Sequence, residues 1–197
     1  TIGLAASGTG NTPSFSGTNI TALSVTSTVV VTPTASGCQG IPVSYNITVN
    51  PTPVIDVPTN IVVCNGAAVA ASAYTSSTPG TTFNWTNSDA SIGLAANGTG
   101  NTPSFSGTNI TANPVTATIT VTPTANGCTG PQSSYTITIN PTPVVVVQAD
   151  ITVCNGENIA ASNFTSTTPG TTFDWTNSVA TIGLAASGTG NTPSFSG

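Results

Sequence analysis

The sequence predicts an all-β fold, laid out as tandem β-sandwich domains on a 90-residue repeat. Three observations predict it: an ungapped internal period, strict alternation of apolar and hydroxyl side chains, and turn-forming clusters between the alternating stretches. The period comes first. Displaced by 90 positions, Cys38 falls on Cys128, Tyr45 on Tyr135, Cys64 on Cys154 and Trp85 on Trp175, and 62 of the first 90 residues are identical to the next 90. "GTGNTPSFSG" begins at Gly8, Gly98 and Gly188, and the last 17 residues repeat the first 17 letter for letter. The chain is therefore expected to hold two full periods and the opening of a third, as a stretch of a longer array. A unit of this length exceeds a solenoid coil of roughly 20–50 residues and suits a small domain that buries its own core.

The strands follow from alternation. In "VTATITVT", Val115, Ala117, Ile119 and Val121 point one way and Thr116, Thr118, Thr120 and Thr122 the other, the period of a half-buried strand. "SYTITIN" turns Tyr135, Ile137 and Ile139 inward, and "TTFDWTN" turns Phe173 and Trp175 inward. A short strand "ITV" precedes "CNG", whose Asn and Gly favour a tight turn. "STTPGTT" and "ASGTGNTPS" supply positive-φ positions and preset turns. No stretch reads as a helix. About seven short strands with a turn signal roughly every ten residues is the pattern of a two-sheet sandwich of immunoglobulin-like type.

The seams are "NPTP" at Asn50–Pro53 and Asn140–Pro143, where two prolines stop a strand and stiffen the passage onward. This phasing gives residues 1–50 as the C-terminal part of one β-sandwich repeat, 51–140 as a complete repeat, and 141–197 as the N-terminal part of the next.

Ser and Thr make 62 of the 197 residues; the charged residues are five acids, with no Lys, Arg or His. Soluble globular proteins carry about a quarter charged residues, so a hydroxyl-solvated surface suggests export and solubility from attached sugars. Without a basic patch nothing neutralises phosphate, which excludes nucleic acid as a partner. The absence of lysine excludes lysine–asparagine isopeptide staples. No apolar run approaches the roughly 20 residues of a membrane span, and no basic leader is present, so no membrane insertion or signal peptide is expected in this segment.

In combination, "NPTPVVVVQADITVCNG", "TTFDWTN", "TIGLAASGTGNTPSF", "TANPVTATITVTPTANGCTG" and "YTITINPTP" resemble the PKD-like or immunoglobulin-like tandem repeats of very large secreted surface proteins of Bacteroidota. The resemblance covers the whole chain. It implies a β-sandwich bead repeated many times in an extended stalk that serves adhesion or surface structure, with no catalytic residues.

Comparing the copies tests for chemistry independently. Asp56 aligns with Val146, Asp89 with Val179, Asp150 with Asn60, Glu157 with Ala67 and Asp174 with Asn84, so no carboxylate recurs in register. Repeated calcium sites and paired glycosidase carboxylates are thereby excluded. No His or Lys stands ready as a base for the many hydroxyls, and no catalytic, cofactor or metal site is expected.

Trp85 and Trp175 do recur. They could form a glycan-stacking platform, which would make the chain an array of carbohydrate-binding modules, or pack between two sheets; alternation with Thr82, Asn84 and Thr86 favours the core. Six Asn-X-Ser/Thr triplets, the acceptor pattern for glycosylation, occur, about the chance number, and Asn19 and Asn109, the two that coincide in register, are the glycosylation candidates among them. Outward Thr116, Thr118 and Thr120 are candidates for hydroxyl-linked sugar, or simply good strand residues.

Cys38, Cys64, Cys128 and Cys154 read as disulfide candidates in an exported, low-charge chain. A Cys64–Cys128 bond inside the complete bead would close about 64 residues and stabilise by ~4 kcal/mol; Cys38–Cys64 and Cys128–Cys154 bonds would each close about 26 residues for ~3.5 kcal/mol and staple bead to bead. The energies do not decide between them. Parallel first and last strands would put Cys64 and Cys128 toward opposite poles, yet the self-contained bead is the favoured pairing. The expected function is a structural segment of an extracellular fibre or stalk, whose partners are copies of itself and covalent glycans.

Overall fold

The computed structural model describes residues 2–197 and places the alternating segments in one main sheet. Its strands run in the order Ile61–Cys64, Ser133–Asn140, Val115–Ala125, Thr82–Asn87 and Asn97–Thr99, with the short Cys128–Thr129 strand folding back on Val115–Ala125. All neighbours are antiparallel except the first pair, where Ile61–Cys64 runs parallel to Ser133–Asn140 and Cys64 lies opposite Asn140. The parallel pair is the signature of a sandwich whose first and last strands share a sheet.

Alternation decides what this sheet buries. Ala117, Ile119 and Val121 are wholly inaccessible, as are Ile137 and Ile139 to within a percent, while the intervening threonines face outward. Each fully buried Val or Ile is worth about 1.5–3 kcal/mol relative to leaving it in water. Trp85, Tyr74, Ile92 and Leu94 join the same cluster, and Ile55 reaches it from the segment after the first "NPTP".

The second layer closing this core is built from short pairings: Ala68–Val69 with Phe105–Ser106, and single bridges Asp56–Thr75 and Ser72–Thr102. Long strands are absent here because glycines and prolines interrupt the alternation. Together the two layers make an all-β, immunoglobulin-like sandwich. The only helical features among the described residues are 3-10 turns at Ala90–Ile92 and Ala180–Ile182. Each ends on a left-handed glycine, Gly93 or Gly183, at φ +98°.

The flanking residues carry pieces of the same pattern. Val25–Val31 pairs with Val43–Val49 in the register of the corresponding strands 90 residues on. At the other end, Asp174–Thr176 pairs with Ser187–Thr189, and Asn158–Ile159 with Phe195–Ser196. The strand expected at "ITV", residues 151–153, is not formed, and the strand expected across 171–177 shortens to three residues. In the central repeat these segments are held by Ser133–Asn140 and Val115–Ala125; the described residues beside 151–177 include no counterpart of those two strands.

Candidate functional site

The "CNG" turn organises one pole of the central repeat. Gly66 sits at φ +81°, a left-handed position suited to glycine. The turn then uses its backbone as a clasp: Asn65 N–H donates to the Asn140 carbonyl and Gly66 N–H to that of Gly107, both at 2.8 Å. The Asn65 side chain reaches further, its Oδ1 accepting from the Asn109 backbone N–H at 2.8 Å. Two distant segments, 107–109 and the end of the strand at Asn140, are thus tied to one turn, a role that the sequence suggests for its cysteine rather than its asparagine. The sequence does carry a signal for Asn65, since Asn155 recurs with Cys154.

Asn109 is the second organiser. Its Nδ2 donates to the carbonyls of Asn113 (2.8 Å) and Ile139 (2.7 Å), while its Oδ1 accepts from both the N–H and the hydroxyl of Thr111. The residue is only 5% exposed. An amide nitrogen committed to two carbonyls inside the fold is not available to a sugar, which corrects the expectation that Asn109 is a glycosylation acceptor. Asn19 repeats the arrangement, donating to Leu23 and Val49 carbonyls at 2.8 Å each. The two triplets that coincide in register therefore coincide for a structural reason. With Asn109 folded in, Ile110 is pushed outward and stands 95% exposed at the loop tip, as Ile20 does in its own repeat.

The repeated "GTGNTPSF" segment also faces inward. Asn101 Oδ1 accepts from Tyr74 N–H at 3.0 Å, and Thr102 Oγ1 accepts from Ser72 N–H and lies 3.2 Å from the Tyr135 hydroxyl. The Tyr74 and Tyr135 hydroxyls meet at 3.2 Å. Burial, followed by the hydrogen bond to Tyr135, pushes the Tyr74 phenol well above its ordinary range. The latch recurs beyond residue 150, where Asn191 accepts from Phe164 N–H and Thr192 from Ser162 N–H.

The other residues singled out by sequence fall as follows. Trp85 is 3% exposed, inside the core, and presents no stacking face; Trp175 is half-buried. Both indole N–H groups lack a protein partner. Thr116, Thr118 and Thr120 line the outer face of the sheet, Thr116 sharing a hydrogen bond with Thr138 at 2.8 Å. Asp89 caps the first 3-10 turn, where hydrogen bonds from the Ser91 hydroxyl and backbone hold its carboxyl below the usual range. Glu157 accepts from the Cys154 N–H. Among the described residues, no three of His, Cys, Asp and Glu come together, and no helix is long and apolar enough to cross a membrane.

The cysteines require a correction. Cys64 lies opposite Asn140 at one end of the main sheet, and Cys128 lies opposite Ala125 at the other. Between those ends runs the 11-residue Val115–Ala125 strand, which at about 3.3 Å per residue separates them by roughly 30 Å. A disulfide needs Cα atoms within about 7 Å, so the favoured Cys64–Cys128 pairing cannot form in this fold. The parallel first and last strands enforce the separation. The bead-to-bead pairings are not formed either; all four thiols are free.

The two poles are where successive repeats meet. At the Cys128 pole, Asn50 Nδ2 donates to the Asn126 carbonyl at 2.8 Å. At the opposite pole, Asn65 Nδ2 reaches the Thr142 hydroxyl at 3.4 Å, and an open cleft forms between Asn109–Ala112 and Thr142, Val144 and Thr167–Thr168.

Residues 61–143 match the PKD-like domain family. This supports a PKD- or immunoglobulin-like domain across the central sheet. No curated protein matches the chain. Among solved structures, the extracellular cadherin domains 1–5 of protocadherin gamma B2 are similar over 88% of this chain and 38% of their own length, at 15% identity and a TM-score of 0.33. The FN1–FN3 domains of chicken CNTN1 are similar over 86% of this chain and 64% of theirs, at 11% identity and a TM-score of 0.28. The chain thus spans well under half of the first structure and just under two thirds of the second.

Proposed function

We propose that this chain is a structural repeat segment of an extracellular fibre or cell-surface stalk of adhesin type, a non-catalytic spacer of PKD-like beads in the manner of Bacteroidota surface proteins. The observation that carries the reading is the placement of the junctions. The preceding segment contacts the central bead at the Asn126 pole and the following one at the Asn65 pole, so each added repeat lengthens the chain instead of thickening it. The repeated polar motifs support the same reading, because Asn65 of "CNG", Asn109 of "NIT" and Asn101 and Thr102 of "GTGNTPSF" spend their side chains on hydrogen bonds within the fold. The outer threonine face suits solvation or hydroxyl-linked glycans, and a chain with no basic residue and five acids fits a secreted setting.

Negative-stain microscopy and small-angle scattering of the chain test this. Elongated beaded particles are expected; compact particles with repeats folded side by side would overturn the spacer role. Intact-mass measurement of native material, with hexose-spaced ladders on peptides containing Thr116–Thr120, tests the glycan part.

A further inference from the structure

The outer face of the main sheet is a lattice of small hydroxyls. Along Val115–Ala125 every outward residue is a threonine, from Thr116 through Thr118, Thr120 and Thr122 to Thr124, alternating with the residues that face the core. The partner strands continue the pattern in register. Ser134, Thr120, Thr86 and Asn97 form one rung across four strands, and Thr122, Asn84 and Thr99 form the next. On the other side of that rung, Thr118 lies opposite Thr136 and Thr116 opposite Thr138. Strand geometry spaces such a lattice at about 6.7 Å along each strand and about 4.8 Å from strand to strand.

The lattice is stiff and uncharged. Threonine is β-branched and restricted at χ1, and Thr116 and Thr138 share a hydrogen bond at 2.8 Å. The strands Val25–Val31 and Val43–Val49 repeat the arrangement, with Thr26 bonded to Thr48 and Thr28 to Asn46, each at 2.8 Å. The two carboxylates of the central repeat, Asp56 and Asp89, lie outside the strands of the face. In the next repeat Asp174 takes the place of Asn84.

We infer that this threonine lattice is a binding surface for crystalline water, and that the chain adheres to ice through it. A rigid array of neutral hydroxyls holds bridging waters at repeating positions. A partner that gains from the repetition must itself be neutral, rich in hydroxyls and periodic over several such spacings, as a crystal face is. A packed polysaccharide has those properties too, but it is gripped by stacking on exposed aromatic rings. The face presents none, since Trp85 is 3% exposed in the core. A second copy of the chain would desolvate hydroxyls beside a single exposed apolar residue, Val62, which offers little in return. Sheet twist turns neighbouring strands by roughly 20–25°, so the flat part of each lattice is one long strand with its immediate neighbours. Repetition along the chain compensates, because a second face on the same chain binds as an intramolecular event. Sugars linked to the same threonines would cover the lattice, so the two uses exclude each other.

Ice-affinity partition of the unglycosylated 197-residue chain tests the proposal: ice is grown slowly from a dilute solution, and the protein in ice and liquid is compared by absorbance. Enrichment in the ice is expected, with faceting and arrested growth of single crystals under the microscope. Thr28→Tyr with Thr118→Tyr sets a ring in the middle of both lattices and is expected to return the protein to the liquid. Thr28→Lys with Thr118→Lys, which sets a charge there instead, is expected to do the same. Ser104→Tyr, exposed beside the Phe105–Ser106 strand of the second layer, is expected to leave the partition unchanged. A urea midpoint and tryptophan emission like the parent's establish that each variant is folded. Exclusion of the parent from ice to the degree of an inert globular protein overturns the inference, as does undiminished retention of both folded lattice variants. Retention on powdered cellulose or chitin without retention in ice overturns it in favour of a polysaccharide. Hexose on Thr118 of native material overturns it as well, by occupying the face.

Discussion

Gly98 lies directly opposite Trp85 in the sheet, and the indole ring is laid over its Cα. A methyl group at Gly98 would overlap the six-membered ring, and Gly188 stands in the same relation to Trp175. Neither glycine is at positive φ, so the constraint is the aromatic ring and not the backbone. Gly98→Ala is therefore expected to force the indole from its pocket at a cost of about 1–3 kcal/mol, as overpacking does. Urea unfolding followed by tryptophan emission checks it; an unchanged midpoint and spectrum would refute the contact.

Trp85 itself separates volume from polarity. Trp85→Ala is expected to cost about 3–5 kcal/mol through the cavity it leaves. Trp85→Phe is expected to cost much less, because it keeps an aromatic filler and removes an indole N–H that has no protein partner. Thermal unfolding of the two variants beside the parent gives the comparison.

Asn109→Ala removes both donors to the Asn113 and Ile139 carbonyls, leaving buried acceptors unpaired for roughly 2–3 kcal/mol. Asn109→Asp is expected to be no better, since a carboxylate would face those same carbonyls. Asn19→Ala, at a less buried site, is expected to cost less. Peptide mapping of glycosylated material should find Asn109 bare.

The Tyr74 phenol has a folded pKa above its ordinary value of 10.0, so the folded state favours the neutral form. Its contribution to stability is complete below about pH 10 and is lost as the pH rises beyond it, where the unfolded chain can ionise and the folded one resists. The urea midpoint is expected to fall above that pH in the parent and to fall less steeply in Tyr74→Phe.

Oxidation offers a direct check on the strand order. Non-reducing peptide mapping of the oxidised chain is expected to contain no Cys64–Cys128 linkage within a monomer. Its presence would mean that the two ends of the main sheet approach each other, contrary to the parallel pairing of Ile61–Cys64 with Ser133–Asn140.

Most of the main sheet is legible in the amino-acid sequence. "VTATITVT" and "SYTITIN" state their inward faces outright, because a strand exposes its side chains with a period of two and only one face can meet the core. The second layer is not legible there: Val69, Ser72 and Thr102 lie in stretches without alternation, Val69 held by a two-residue pairing and Ser72 and Thr102 by a single bridge, each depending on partners 30 or more residues away. The same gap explains the asparagines. "NIT" has the form of a glycan acceptor whether its amide points outward or into the fold, and nothing local distinguishes the two.

The sequence by itself determined the repeat, the alternating strands, the turn positions and the absence of any recurring acid or base, since these follow from residue type and spacing. Only the tertiary structure decided that Cys64 and Cys128 belong to opposite poles, that Asn65 and Asn109 bind backbone, and that Trp85 rests on Gly98. Those outcomes depend on strand order and direction, which bring together residues far apart in the chain and which no local pattern encodes.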